Sequence, residues 1–187
     1  MRAIGLNYPE EEYGRVRLWQ VIMRICKTYR DGFLLKFFMN SWLLSPIEPR
    51  KLRPWVLRKI GAKVGKDVFI GSSVWIDAGH ANLIEIGDRS HLDARCVVLC
   101  HKRDLSNYYK GDDYHKLPYK TAAVKIGKGC SIGTDTFLMP GVSIGDGAIV
   151  GAGSLVTKDI PAWTIATGRP AKVVKVIPER ETQTDEK

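Results

Sequence analysis

The chain of 187 residues is 44% hydrophobic and 26% charged, an ordinary globular balance that excludes wholesale disorder and fits one domain with a small appendage. Its 29 Lys and Arg against 20 Asp and Glu leave a net charge of +9, which raises nucleic acid, an anionic membrane surface or a phosphorylated cofactor as partners. The excess is local: residues 1–63 hold 13 basic and 5 acidic side chains, and the rest of the chain is close to neutral.

Residues 1–60 read as a helical segment. Across Tyr13–Leu44, Leu18, Val21, Ile22, Ile25 and Tyr29 recur at helical spacing, with Arg17, Arg24 and Lys27 at the charged positions. The longest apolar run, Phe33–Leu44, is broken by Lys36 and Asn40 and is too short to span a bilayer. Pro46, Pro49 and Pro54 end the helical pattern, and a short helix over WVLRKIGA leads into the next region.

From residue 61 to 177 the period changes to six. Aliphatic residues recur as Val64, Ile70, Ile76; then Ile86, Leu92, Val98; then Ile126, Ile132, Leu138, Ile144, Val150, Val156. Seven of the twelve are followed directly by Gly, which is expected to supply backbone freedom for tight turns. Four residues after most of them stands a small or β-branched side chain, such as Val68, Ser90, Cys96, Cys130, Thr136 or Ser154. A period of six suits neither a helix nor a long strand, but a short strand and a turn, repeated. Three such units make a triangular coil, so the expected fold is mainly β: a parallel β-helix with aliphatic residues filling its axis.

Two breaks interrupt the phase. A step of ten between Ile76 and Ile86 implies a bulge of about four residues around His80–Leu83, and a step of 28 between Val98 and Ile126 makes room for a long loop over residues 102–123. A loop of that length in a repeat array is a candidate functional element, and it leaves the coil immediately after His101. Residues 178–187 form a polar tail. Cys26, Cys96, Cys100 and Cys130 show no C-x-x-C spacing and no cleavable signal opens the chain, so a reduced, cytoplasmic setting is expected.

The hexads, and above all GVSIGDGAIVGAGSLVTKDIPAWTIATGRPAKVV over Gly141–Val174, resemble the hexapeptide-repeat acyltransferases, in particular the galactoside, maltose and polysaccharide O-acetyltransferases. The resemblance implies a left-handed β-helix, acetyl-CoA as co-substrate, and a homotrimer with active sites between subunits. Sugars, amino acids and antibiotics all serve as acceptors on this scaffold; the expected acceptor is a saccharide hydroxyl in cell-surface polysaccharide synthesis, and no metal is expected. Acyl transfer to a hydroxyl needs a base for the hydroxyl proton, and a neutral imidazole suits that task. His101 matches the family's catalytic histidine. Asp77 is expected to hold the acceptor hydroxyl, and Asp93 and Arg95 to flank the same cleft. For the donor, the resemblance carries over to Thr134 and Ala152 near the pantetheine, to Gly141 as a further cofactor contact, to Thr157 and Lys158 near the adenosine end, to Lys175 near a phosphate, and to Gly168 and Pro170 in a turn closing the last coil beside the adenine. The family often has Trp-Ile-Gly before the Thr134 position, where this chain has Ser131-Ile132-Gly133; this puts the wall of the acyl site in question.

His91 is expected to face outward, and His80 and His115 read as turn and loop residues. Two rival readings were weighed. A zinc-dependent hexapeptide protein would need His80, His101 and His115 to converge, yet their spacing forms no motif. A non-catalytic scaffold or nucleic-acid binder could use Trp19, Tyr29, Trp42 and Trp55 among the N-terminal arginines, yet no nucleic-acid motif is present. The N-terminal charge leaves two uses open: peripheral contact of residues 13–60 with the inner face of the cytoplasmic membrane, or packing over the open end of the prism.

Overall fold

The protein is described by a computed structural model, covering residues 18–39, 44 and 50–179. The expected helix start at Tyr13, with Arg17, Asn40, Trp42, Pro46, Pro49 and the tail beyond residue 179, lies outside the described residues.

The hexads form a three-sided, left-handed parallel β-helix. One face stacks β1 (Lys63–Val64), β4 (Ile84–Ile86), β9 (Val124–Ile126) and β12 (Ser143–Ile144). The second stacks β2 (Phe69–Ile70), β5 (His91–Leu92), β10 (Ser131–Ile132), β13 (Ile149–Val150) and β15 (Thr164–Gly168), closed by the antiparallel β16 (Ala171–Val176). The third stacks β3 (Trp75–Ile76), β6 (Val97–Val98), β11 (Phe137–Leu138) and β14 (Leu155–Val156). Equivalent hexad positions are in register, as in Ile76↔Val98 and Val98↔Leu138.

The inward residue of each short strand is aliphatic because the prism axis is dry and narrow. Leu92, Val98, Ile132, Leu138 and Val156 have no accessible surface, and Val68, Ser90, Cys96, Thr136, Ala148 and Ser154, four places after the hexad aliphatics, are likewise fully buried at the corners. Where the corner residue is polar it bonds the next coil: the Ser90 hydroxyl donates to the Gly127 carbonyl at 2.7 Å and accepts from the Cys130 amide at 3.0 Å.

The glycines have a different cause from the one expected. Gly71 has no positive φ; a Cβ there would stand 2.5 Å from the Ala94 nitrogen of the next coil. The glycine after the aliphatic therefore lets coils stack, and the left-handed backbone lies two residues further on, at Asp67, Ser73, Arg89, Arg95, Asp135, Gly129, Gly141, Gly147 and Gly153.

Amides of each coil donate to carbonyls of the next, as Gly65 does to Ile86 and Trp75 to Cys96, so first-coil carbonyls lack strand donors. The N-terminal segment supplies them. Arg50 donates to the Asp67 carbonyl at 2.9 Å, Arg53 to Ile70 at 2.9 Å, and Arg58 to Val64 at 2.9 Å and to Gly65. Arg53 and Arg58 belong to α2 (Leu52–Ile60), which buries Val56, Leu57 and Ile60 in the core and ends at Gly61 with φ 115°. Helix α1 (Leu18–Phe33) runs on through a π-helical turn (Leu34–Met39), whose Met39 is buried against the core. Along α1 only Asp31 is buried, and Leu18, Ile22, Ile25, Tyr29 and Phe33 form an exposed stripe.

Both phase breaks open the same corner, where the third face hands over to the first. The first is a 3₁₀ segment, Ala78–Leu83, between β3 and β4. The second, between β6 and β9, begins as an antiparallel ribbon of β7 (His101–Arg103) and β8 (Tyr119–Thr121).

Candidate active site

Asp77 and His101 follow equivalent strands of successive coils, β3 and β6, at the corner opened by the two insertions. The Nδ1 atom of His101 forms a short hydrogen bond with Asp77 Oδ2. The same oxygen accepts the Cys100 amide at 3.2 Å, and Oδ1 faces Nδ1 of His80 at 3.1 Å. Asp77 is only 4% exposed. Burial works to raise its pKa, but the bonds from His101, His80 and Cys100 outweigh it and hold the carboxyl below the usual range. An ionised Asp77 fixes the proton of a neutral His101 on Nδ1 and leaves Nε2 as the acceptor.

Both oxygens of Asp77, expected to receive an acceptor hydroxyl, already accept bonds inside the chain, one of them from the imidazole of His101. Around that pair lie His80, read from the sequence as a turn residue that could line the cleft, and Tyr119 and Arg103, which were not singled out. The His80 ring is 5.0 Å from that of His101, the Tyr119 ring meets His101 edge-on at 5.5 Å, and Arg103 stacks on Tyr119 at 3.9 Å. A signal for His80 was available: Gly79 and His101 both stand three places after a hexad aliphatic, which sets the two insertions at one corner.

The other expected site residues divide between two edges of the third face. Gly141 lies at the His101 edge, one coil further on, and Thr157 and Lys158 follow β14 at that same edge, exposed. Asp93 and Arg95 lie at the opposite edge, between β5 and β6, so one chain does not bring them beside His101. Arg95 is moreover held by Asp135 through two bonds of 2.7 and 2.6 Å. Thr134 and Ala152 share that opposite edge, where the Thr134 carbonyl accepts the Gly153 amide at 2.7 Å. Gly168, with φ 106°, and Pro170 form the β15–β16 turn, and Lys175 is exposed on β16. His115 is exposed in the loop and outside the Asp77–His80–His101 cluster. His91 points outward from the second face but is half-buried beneath Arg50, 2.7 Å from its Nε2.

Residues 61–100 match the hexapeptide repeat of succinyl-transferase, and residues 123–158 match the bacterial transferase hexapeptide of six repeats. Galactoside O-acetyltransferase of Escherichia coli K12 is 45% identical over 199 residues, covering 94% of this chain and 93% of its own. The chain belongs to the hexapeptide-repeat acyltransferase family. A second family member, the E. coli K12 protein WcaF, named for acetyl transfer in colanic acid biosynthesis, is 33% identical over 73% of this chain and 81% of its own. The structure of a galactoside acetyltransferase in complex with coenzyme A shares the fold, with a TM-score of 0.63 over 92% of both chains at 23% identity.

Proposed function

We propose that the protein transfers an acetyl group from acetyl-CoA to a hydroxyl of a saccharide, with His101 as general base, in the synthesis of a cell-surface polysaccharide. The observation that carries this is the Asp77 carboxylate against His101 Nδ1, at a corner opened by both insertions. Acceptor and donor are bound together. Nε2 removes the hydroxyl proton as the oxygen attacks the thioester carbonyl; the C–O bond forms, the C–S bond breaks, and the imidazolium returns the proton to the CoA sulfur. The named acetyltransferases among its relatives, one on galactosides and one in an exopolysaccharide pathway, support the donor and the acceptor class.

In this reading Gly141, Thr157 and Lys158 meet CoA from the His101 edge, and Thr134 and Ala152 from the opposite edge. Lys158 and Lys175 neutralise its phosphates, and Gly168 and Pro170 close the adenine end. Because the two sets lie on opposite edges of one face, a single chain does not assemble them, which supports a homotrimer with the active site between neighbours. The outward column of that face, Trp75, Val97, Phe137 and Leu155, is apolar and in register, as a subunit contact requires. Asp93 and Arg95 would then face the neighbour's His101.

The direct test is thiol release from acetyl-CoA with a panel of sugar acceptors. His101→Ala is expected to lower turnover by about 10² or more; near-wild-type turnover would refute its role. Among the described residues no helix is long and apolar enough to cross a membrane. The exposed stripe of α1 supports the finer location, a peripheral contact with an anionic bilayer, with Arg24, Lys27, Arg30 and Lys36 as the cations. Flotation with anionic liposomes should carry the intact chain and fail after deletion of residues 1–45; binding that survives the deletion would exclude the contact.

A further inference from the structure

Asp77 stands between two imidazoles, and both present Nδ1 to it. The ligand atoms of Asp77, His80 and His101 all lie within 4.8 Å of one another. Two imidazole nitrogens and a carboxylate oxygen are the donor set of an open, three-ligand site for Zn²⁺ or Co²⁺. In a tetrahedron with bonds of about 2.0–2.2 Å, neighbouring donors stand about 3.3–3.6 Å apart; the His80–Asp77 separation is 3.1 Å and the His101–Asp77 pair is closer still, so a bound ion parts the donors slightly. The carboxylate is buried, and the Cys100 amide holds it from behind, the kind of outer partner that orients metal ligands. Both histidine side chains are about a third exposed, at 36% and 34%, which gives an ion a route in and leaves the fourth position open to the cleft.

We propose that Asp77, His80 and His101 form a binding site for a zinc-like divalent ion, and that occupancy switches acetyl transfer off. The inference rests on the reading of His101 as the general base. A metal on Nδ1 takes that lone pair, so in the neutral ring the proton moves to Nε2. Nε2 is then a donor and no longer accepts the hydroxyl proton. The proton on His80 shifts in the same way; no proton is released and nothing is oxidised or reduced. The metal-free protein is the active form.

The test uses the full chain after treatment with a chelator. Titration with Co²⁺ should produce the visible absorption of four-coordinate cobalt, saturating at one ion per chain and lost on addition of one equivalent of Zn²⁺. His80→Ala, His80→Gln and Asp77→Asn should each abolish the band; His91→Ala and His115→Ala should retain it. One equivalent of Zn²⁺ should lower wild-type transfer by about 10² or more, the contribution of a general base, and the chelator should restore it. In His80→Ala the same zinc should leave the metal-free rate of that variant unchanged. No cobalt band, a band that persists in both His80 variants, or zinc bound at this site without loss of transfer would overturn the proposal. If the metal-free wild type transfers no acetyl group to any sugar, the enzymatic reading fails, and the cobalt titration still decides whether the site exists.

Discussion

At the scale of single residues, the arrangement around Asp77 turns on where a carboxylate can be stabilised. Its site is buried, which by itself favours the neutral acid, and three donors reverse that preference. Three of its roughly four acceptor sites are taken within the chain, and in the proposed function the side chain acts through His101. Asp77→Asn keeps the volume and removes the charge that fixes the imidazole tautomer. It is expected to lower kcat by about 10² while the KM for acetyl-CoA stays within about twofold; steady-state kinetics checks this, and a wild-type kcat would exclude the positioning role. The pair was half legible: His101 announced itself by standing where the hexads stop. The hydrogen bond that His101 donates to Asp77 was hidden, because a rotamer at the junction of two coils is decided by neighbours a full turn of the prism away.

At the scale of elements, the strand–corner unit uses glycine for two separate reasons, and they are separable by experiment. Gly71 sits against the backbone of the next coil, 2.5 Å from where its Cβ would be, and backbone there cannot yield without breaking stacked hydrogen bonds. Gly153 has φ 70° and open space around the added carbon. Gly71→Ala is therefore expected to cost about 3 kcal/mol or more, and Gly153→Ala about 1 kcal/mol for the left-handed backbone alone. Denaturant unfolding checks the order, and equal losses would contradict the stacking argument. The hexad repeat made both sets of glycines visible as a pattern without separating their causes, since spacing between coils is not a property of a single hexad.

For the whole molecule, the basic N-terminal third has more than one use. Arg50, Arg53 and Arg58 satisfy carbonyls of the first coil, which no strand can reach, and so blunt the edge of the β-helix. Part of the positive charge therefore answers to the open end of the prism, and another part, Arg24, Lys27 and Arg30, lies on α1, whose apolar stripe is exposed. The separation of the expected CoA contacts onto two edges of the third face belongs to the same scale. Light scattering on the full chain should give the mass of three chains, and Trp75→Asp, at the outward column, should lower that mass and the transfer rate together. A fully active monomer would overturn the intersubunit site.

The sequence by itself determined the coil: a six-residue period is a local, repeated demand for one inward aliphatic and one small corner residue, and twelve repeats leave one fold that meets it. It also marked the corner where chemistry is expected, through the break in phase at His101. Only the tertiary structure decided that the Asp77 carboxylate meets the ring of His101, that His80 shares the same carboxylate, and that Arg95 pairs with Asp135. The first and last are contacts between coils, set by register and side-chain rotamers across 24 and 40 residues, the second depends on the 3₁₀ backbone of the first insertion, and no repeat of six encodes them.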